Sequence, residues 1–415
     1  MSENNENKRP KGKKKGRIFL IIVELAILVV LGFGLWFVLK TTGTNSKKSS
    51  GDGNNNAGGI QKINIDEKEI EVNMNPGVSD SPVLKGYRNI ALFGVDSRQG
   101  QLSQKTRTDT IMVASINLDT KEIRLVSVYR DTYLNQMDSG NSYGKCNAAY
   151  AYGGAEQAIK MLNSNLDLDI TDFVTIGFKG LVDVINAVGG VYIDVDSEEI
   201  KHINNYQLSM TMSTENDEAI SVVENDYKAV TETGYQLLDG LQATAYCRIR
   251  YTAGNDFKRA ERQREVLQAT LEVAKTCPVT KLTEICNTVF DEVYTSLDVN
   301  EILELLTNLS EYKIVAEGGF PTNGKLTTGT IGTKGSCVIP SSLSENVTWL
   351  HEFLFDDANY VPTDAVNSYS DKIYSDTSVY LEGSGLIEDT ENFEETDSED
   401  VTVNPDAVDN GTESN

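Results

Sequence analysis

The run IFLIIVELAILVVLGFGLWFVL, residues 18–39, constrains this chain more than any other feature. It is apolar except for Glu24, and it is long enough to cross the hydrocarbon core of a bilayer as a single helix. The basic stretch KRPKGKKKGR precedes it directly. Positive charge on that flank belongs on the cytoplasmic side. A cleaved signal peptide would have a shorter apolar core and a small-x-small site, whereas here Lys40 follows the run at once. The expected layout is a cytoplasmic basic segment (1–17), a single-pass signal-anchor helix (18–39), and an extracytoplasmic remainder at the cell surface. Glu24, near the cytoplasmic end, is a cost met by protonation or by a partner.

The 415 residues suffice for one large domain or two ordinary ones. The net charge of -25 is unevenly spread, because no Lys or Arg occurs from Ser375 to Asn415. That tail supplies about half of the excess, and like charges in a block stay solvated. Residues 40–82 read as a flexible Gly/Ser/Asn-rich juxtamembrane linker, with a short strand in INIDEKEIEV. The folded domain is expected over 83–366 and a disordered acidic tail over 367–415.

Within the domain, NIALFGVD (89–96), DTIMVASIN (109–117) and EIRLVSVYRD (122–131) read as strands. The first is almost wholly apolar, as in a strand buried on both faces. Ala155, Ala158, Ile159 and Leu162 make a helical stripe. FVTIGF is a strand, KGLVDVINAVGG a helix closed by glycines, and VYIDVD a further strand. Strands alternating with helices predict an α/β fold, a central sheet flanked by helices on both faces. Residues 197–234 read as a polar loop or insertion. Helical patterns resume at LLDGLQATAYC and RAERQREVLQATLEVAK, and Asp298 with Glu301 fits a capping box before EILELLTNL.

Two features bear chemistry. Asp96 closes the first strand and Asp109 opens the second. If those strands are antiparallel neighbours, the carboxylates meet as a hard-oxygen site suited to Mg²⁺; otherwise they are ordinary turn or capping aspartates. The segment AYCRIRYTAGNDFKRAERQREVL gathers Arg248, Arg250, Lys258, Arg259, Arg262 and Arg264. Arg248 and Arg250 point the same way if extended, and Arg259 and Gln263 share a helix face. Arginine is the residue for bidentate grips on phosphate, and Arg130 could join from the third strand. Glu261 and Glu265 leave open a surface lace of salt bridges instead. The five cysteines fit neither a metal site nor a disulfide framework, and the two histidines lie apart from any catalytic signature.

NIALFGVDSR, RTDTIMVASIN, IRLVSVYRDTY, KCNAAYAYGG, FKGLVDVINAVGGV and CRIRYTAGNDFKRAERQREVL, in that order, resemble the LytR-CpsA-Psr family over about residues 85–275. The resemblance implies a mixed sheet between helices, with an apolar pocket for a polyprenyl chain. It implies a membrane-anchored phosphotransferase that moves a glycopolymer, such as a teichoic acid or capsular polysaccharide, from undecaprenyl pyrophosphate to peptidoglycan. The cofactor it implies is Mg²⁺, or Mn²⁺ in its place, on Asp96 and Asp109. Arg130, Arg250 and Arg259 take the catalytic positions with Asp96. Arg107, Lys145, Arg248 and Gln263 join them around the pyrophosphate, and Asp256 matches a recurrent position.

Tyr129 stands where the family usually has Pro, and Cys146 where it has an aliphatic residue. The alternatives are a polyprenyl-pyrophosphate hydrolase that uses water, or a noncatalytic wall- or lipid-binding regulator. Nucleic-acid binding is not expected, since the residues before the span are too few for a helix-turn-helix module. The glycopolymer, the general base and the oligomeric state are not legible in the sequence.

Overall fold

The computed structural model describes residues 74–95, 102, 106–211, 227–289, 292–390 and 393. The basic segment, the apolar run, most of the linker with INIDEKEIEV, and Asp96 lie outside the described residues. Among the described residues no helix is long and apolar enough to cross a membrane.

Three strands open the domain: β1 (Tyr87–Val95), β2 (Thr108–Asn117) and β3 (Glu122–Val128). They form an antiparallel meander. A small ribbon of β4 (Tyr133–Asn135) and β5 (Tyr143–Lys145) follows, then α1 (Ala148–Leu166). β6 (Asp172–Gly177) returns parallel to β1 and feeds α2 (Phe178–Val188). β7 (Val191–Val195) does not join the main sheet. It pairs with β8 (Gly234–Leu238) in a separate ribbon, with α3 (Ser197–Thr211) between them in sequence.

Next come α4 (Gly240–Tyr246), α5 (Asn255–Thr276), α6 (Val279–Val289), β9 (Val293–Thr295) and α7 (Val299–Thr307). The domain continues through β10 (Lys313–Phe320), a hairpin of β11 (Leu326–Thr330) and β12 (Ser336–Pro340), α8 (Leu343–Phe355) and α9 (Asp364–Ser384). The central sheet has the order β10-β3-β2-β1-β6-β9 and is mixed. The capping box at Asp298 and Glu301 is present at the start of α7.

Strand alternation sends Ala91, Phe93, Val113 and Val126 to one face, where they pack with buried residues of α1, α8 and α9. Ile90, Ile116 and Ile123 point to the other face and pack with Leu305 of α7. α5 covers that face too: Arg264 donates to the Ser127 hydroxyl of β3 at 2.8 Å. Both faces are therefore covered, which is why β1 could be so apolar.

Three expected boundaries are corrected. The domain does not end at Val366. α9 runs on to Ser384, capped by Thr363, and buries Val366, Ile373 and Thr377. Its stripe is diluted by Ser, Asp and Tyr, so composition hid it. The domain also begins before residue 83. Asn75 donates to the Ser164 carbonyl at 2.7 Å and to the Asp167 carboxylate at 2.6 Å. That carboxylate also accepts from the backbone and hydroxyl of Thr363, so one buried group ties the entry of the domain to its last helix. Within 197–234, α3 is a helix with Ile203 and Met210 buried; residues 212–226 lie outside the described residues.

Candidate active site

The site starts from an irregularity in the β1–β2 ladder. Gly94 pairs with Thr110 and Val95 with Thr108, so Asp109 is skipped. Such a bulge frees one residue from the ladder and re-aims its side chain. Gly94 permits the close approach: a Cβ there would meet the Thr110 hydroxyl oxygen at 2.7 Å. The freed carbonyl of Asp109 accepts from Nη2 of Arg259 at 3.2 Å. Its carboxylate Oδ1 accepts from Nη1 of Arg130 and, at 3.4 Å, from Nη2 of Arg250.

Asp256, in the first turn of α5, is the second acidic centre. Nη2 of Arg259 donates to it at 2.9 Å, and it lies 3.6 Å from Nε of Arg250 and 3.9 Å from Nε of Arg130. Asp131 continues the array, 3.4 Å from both Nε of Arg130 and Nζ of Lys145. Two consecutive left-handed residues, Gly254 (φ 83°) and Asn255 (φ 43°), turn the preceding loop into α5 and set this geometry.

Burial raises the pKa of Asp109, but the charges of Arg259, Arg130 and Arg250 outweigh it and hold the carboxyl below its ordinary value. Burial presses Arg259 down to about 10, partly offset by Asp256, so the guanidinium stays charged at neutral pH. For Arg130, burial is outweighed by Asp131, Asp109 and Asp256, and its pKa is raised. Nε and Nη1 of Arg259 and Nε of Arg130 are buried without a hydrogen-bond partner among the described residues. Unmade bonds on buried charged donors are costly, and an anionic ligand would satisfy them.

The depressed carboxyl of Asp109 makes a pH prediction. Its contribution to stability is fully present above the ordinary carboxylate range and is lost as pH falls through the lower folded value. Urea midpoints measured from about pH 5 downward are expected to decline more steeply for the wild type than for Asp109→Asn. Parallel profiles would sink the assignment.

The other expected residues divide. Arg248 has its guanidinium carbon 4.4 Å from the Phe178 ring centroid and 5.1 Å from that of Tyr206. The chain after α4 turns rather than extends, so the alternation expected to align it with Arg250 does not apply. Gln263 donates to the Cys247 carbonyl at 3.4 Å and so faces the preceding loop. Arg107 is exposed at the start of β2.

Arg262, left open by the sequence, is buried against Glu199 at 2.7 Å. It also donates to the Thr252 hydroxyl and, at 3.4 Å, to the Ile249 carbonyl, which fixes the loop carrying Arg250. Arg264 is buried as well, which goes against a solvated salt-bridge lace, and Lys258 is half-buried beside Glu261.

Sequence reasoning missed Asp131, Glu199 and Tyr206. The last two sit on α3, in a stretch whose polarity reads as loop. Burial and the neighbouring Tyr251 raise the Tyr206 hydroxyl's pKa, against the charges of Arg250, Arg248 and Arg259, and Arg248 lies over its ring. Neither histidine enters the site. His351 is buried and stacked on Tyr360, and burial pushes it down to about 4. His202 lies beside Tyr251. All five cysteines are free thiols.

The two departures from the family pattern hold each other. The Cys146 thiol lies 3.2 Å from the carbonyls of both Tyr129 and Arg130. The Tyr129 ring packs edge-on against Phe257 at 4.6 Å. The backbone before Arg130 is thus pinned by a thiol donor and ring packing where Pro would pin it by ring closure.

A mixed sheet covered by helices, whose bulged strand presents an aspartate to three converging arginines, defines an α/β domain with a charged cluster at the strand end. The chain matches the LytR_cpsA_psr family over residues 40–334, and it belongs to that family. It is 30% identical over 306 residues to the polyisoprenyl-teichoic acid–peptidoglycan teichoic acid transferase TagU of Enterococcus faecalis, covering 71% of this chain and 83% of that one. It is 26% identical to TagT of Bacillus subtilis over 265 residues, 61% of this chain and 76% of the relative. The fold is shared with TagT bound to LI-WTA (TM-score 0.52, 22% identity, 68% and 94% covered) and with B. subtilis TagV (TM-score 0.51, 24% identity, 67% and 99% covered).

Proposed function

We propose that this chain transfers a glycopolymer from undecaprenyl pyrophosphate to peptidoglycan, forming a phosphodiester at the 6-hydroxyl of N-acetylmuramic acid. The observation that carries the reading is the convergence of Arg130, Arg250 and Arg259, with buried donors left unpartnered. The transferase names of the relatives support the phosphotransferase class, and the LI-WTA bound to the similar TagT supports a lipid-linked glycan.

The arginines neutralise the pyrophosphate, which would otherwise repel the incoming oxygen. They then stabilise the charge that develops on the leaving phosphate. The sugar hydroxyl attacks the phosphorus joined to the glycan. The phosphoanhydride bond breaks, undecaprenyl phosphate leaves with the electron pair, and the hydroxyl proton passes to a base. Asp109 is a poor candidate for that base because its arginines lower its proton affinity; Asp96 is the first candidate.

Mg²⁺, or Mn²⁺ in its place, would be held by Asp96 and Asp109. The ionised Asp109 carboxylate fits one arm of such a site. Among the described residues no group of three or more metal-ligating side chains stands ready to hold an ion, so the second arm rests on Asp96, which follows Val95 directly. The ion supplies charge neutralisation at phosphate oxygens. The chain acts at the outer face of the membrane, anchored by residues 18–39.

The test uses the full chain in detergent with Mg²⁺, a labelled undecaprenyl-pyrophosphate glycan and a peptidoglycan oligomer. Label is expected to enter the oligomer through a phosphodiesterase-sensitive bond, and EDTA to stop it. Release of free glycan phosphate alone would replace transfer with hydrolysis. No turnover with any donor would overturn both.

A further inference from the structure

Beside the arginine cluster lies a second chemical environment. A cavity of about 240 Å³ sits at the outer edge of β10, between that strand, α5 and α8. At roughly 30 Å³ per liquid water, it has room for a sugar ring. Three aromatic residues line it: Tyr129, Phe257 and Trp349. Between them stand Glu261, Arg264, Glu317 and Asn323.

Arg264 is more than nine-tenths buried. It donates to Ser127 at 2.8 Å, but its Nε lies 3.5 Å from Glu317 and has no hydrogen-bond partner among the described residues. The C-terminal strap after α9 forms the rim. Thr390 donates to Asn323 at 2.9 Å, and Ile387 exchanges backbone hydrogen bonds with Gly324 and Leu326. The strap reaches the start of α5, where Phe393 packs on Phe257 and its carbonyl accepts from the Gly254 amide.

The lining selects against a phosphate. Glu317 lies 3.5 Å from the Arg264 guanidinium and Glu261 is paired with Lys258 at 2.8 Å, so the lining holds no surplus positive charge to take a phosphate. It selects against an apolar chain as well, since buried charged groups would go unsolvated. What fits is a neutral ring with hydroxyls on its edge and C–H groups on its face. Carboxylates accept from hydroxyls, Arg264 and Asn323 donate to them, and the aromatic rings cover the apolar face.

We propose that this cavity binds a neutral pyranose residue. The role rests on the transferase reading, the binding does not: Tyr129 precedes Arg130 and Phe257 follows Asp256, so the same two segments build both sites. A sugar seated here holds the glycan while the arginines hold the pyrophosphate.

The experiment uses the full chain in a detergent without sugar headgroups, with Trp36→Phe as background so that Trp349 is the remaining tryptophan. N-acetylglucosamine, N-acetylmannosamine and glucose are titrated, read by Trp349 emission and by saturation-transfer NMR. At least one is expected to bind with a Kd on the order of millimolar. Asn323→Ala and Glu317→Gln, each checked for an unchanged melting temperature, are expected to weaken it by about tenfold or more.

Inorganic pyrophosphate binding is followed in parallel. Arg259→Ala is expected to weaken pyrophosphate binding and not sugar binding, so a failed transferase reading and a failed sugar site give different patterns. The proposal is overturned if no sugar binds, if binding ignores both cavity substitutions, if Arg259→Ala abolishes it, or if inorganic phosphate displaces the sugar.

Discussion

Arg259→Ala is expected to lower kcat/KM for glycan transfer by about 10²–10³, the usual effect of deleting one preorganised donor to developing charge. Arg259 does two things at once. Its Nη2 bridges the Asp109 carbonyl at the bulge and the Asp256 carboxylate at the start of α5. Its Nε and Nη1 remain for the anion. Alanine removes both the donors and the bridge between sheet and helix. Arg259→Lys keeps the charge but has no fork to reach both groups, and is expected to recover part of the binding and little of kcat. Steady-state kinetics with the labelled donor separate these effects. An Arg259→Ala enzyme within about threefold of wild type would remove Arg259 from the site, because even one lost charge-assisted bond exceeds that.

The second large effect concerns stability. Arg262 and Glu199 form an ion pair with side chains only 2% and 4% exposed. Arg262→Ala leaves the Glu199 carboxylate buried without its cation, and is expected to cost about 3–5 kcal/mol. Glu199→Ala should cost a similar amount. The double variant Arg262→Met with Glu199→Leu removes both charges and fills the volume, so it is expected to return most of that loss. Urea denaturation reads all of these, and a single-variant loss below about 1 kcal/mol would show the pair to be solvated after all. Transfer activity should stay low in the double variant even when it folds well. Its loop at residues 249–252, which carries Arg250, has lost the Arg262 bonds to Thr252 and Ile249.

The same pair shows where sequence reading stops. Helix periodicity placed Arg259 and Arg262 on α5, but could not say which of the segment's charges would be buried. Interspersed glutamates made the whole run look like a solvated face. The burial of Arg262 follows from Glu199, on a helix 63 residues away in sequence. That of Arg264 follows from the packing of α5 across β3 and β10. Arg248 and Gln263, grouped with the pyrophosphate by motif, are turned toward Phe178, Tyr206 and the Cys247 carbonyl. Asp109, Arg130, Arg250 and Arg259 do converge.

The strands β1, β2, β3 and β6, the helices between them, the capping box at Asp298 and the acidity of the C-terminus were determined by the sequence itself. Each depends on side-chain periodicity or turn chemistry within a few residues, and such signals are local. The helix α9 was missed for the same reason: its buried stripe is thin, and its stability comes from the core it covers. Only the tertiary structure decided the site. Arg250 meets Asp109 across 141 residues of chain, and the contact exists because a bulge in the β1–β2 ladder turns one carboxylate toward a loop held by a buried ion pair. Contacts of that kind are fixed by three-dimensional packing of elements whose local sequences carry no record of one another.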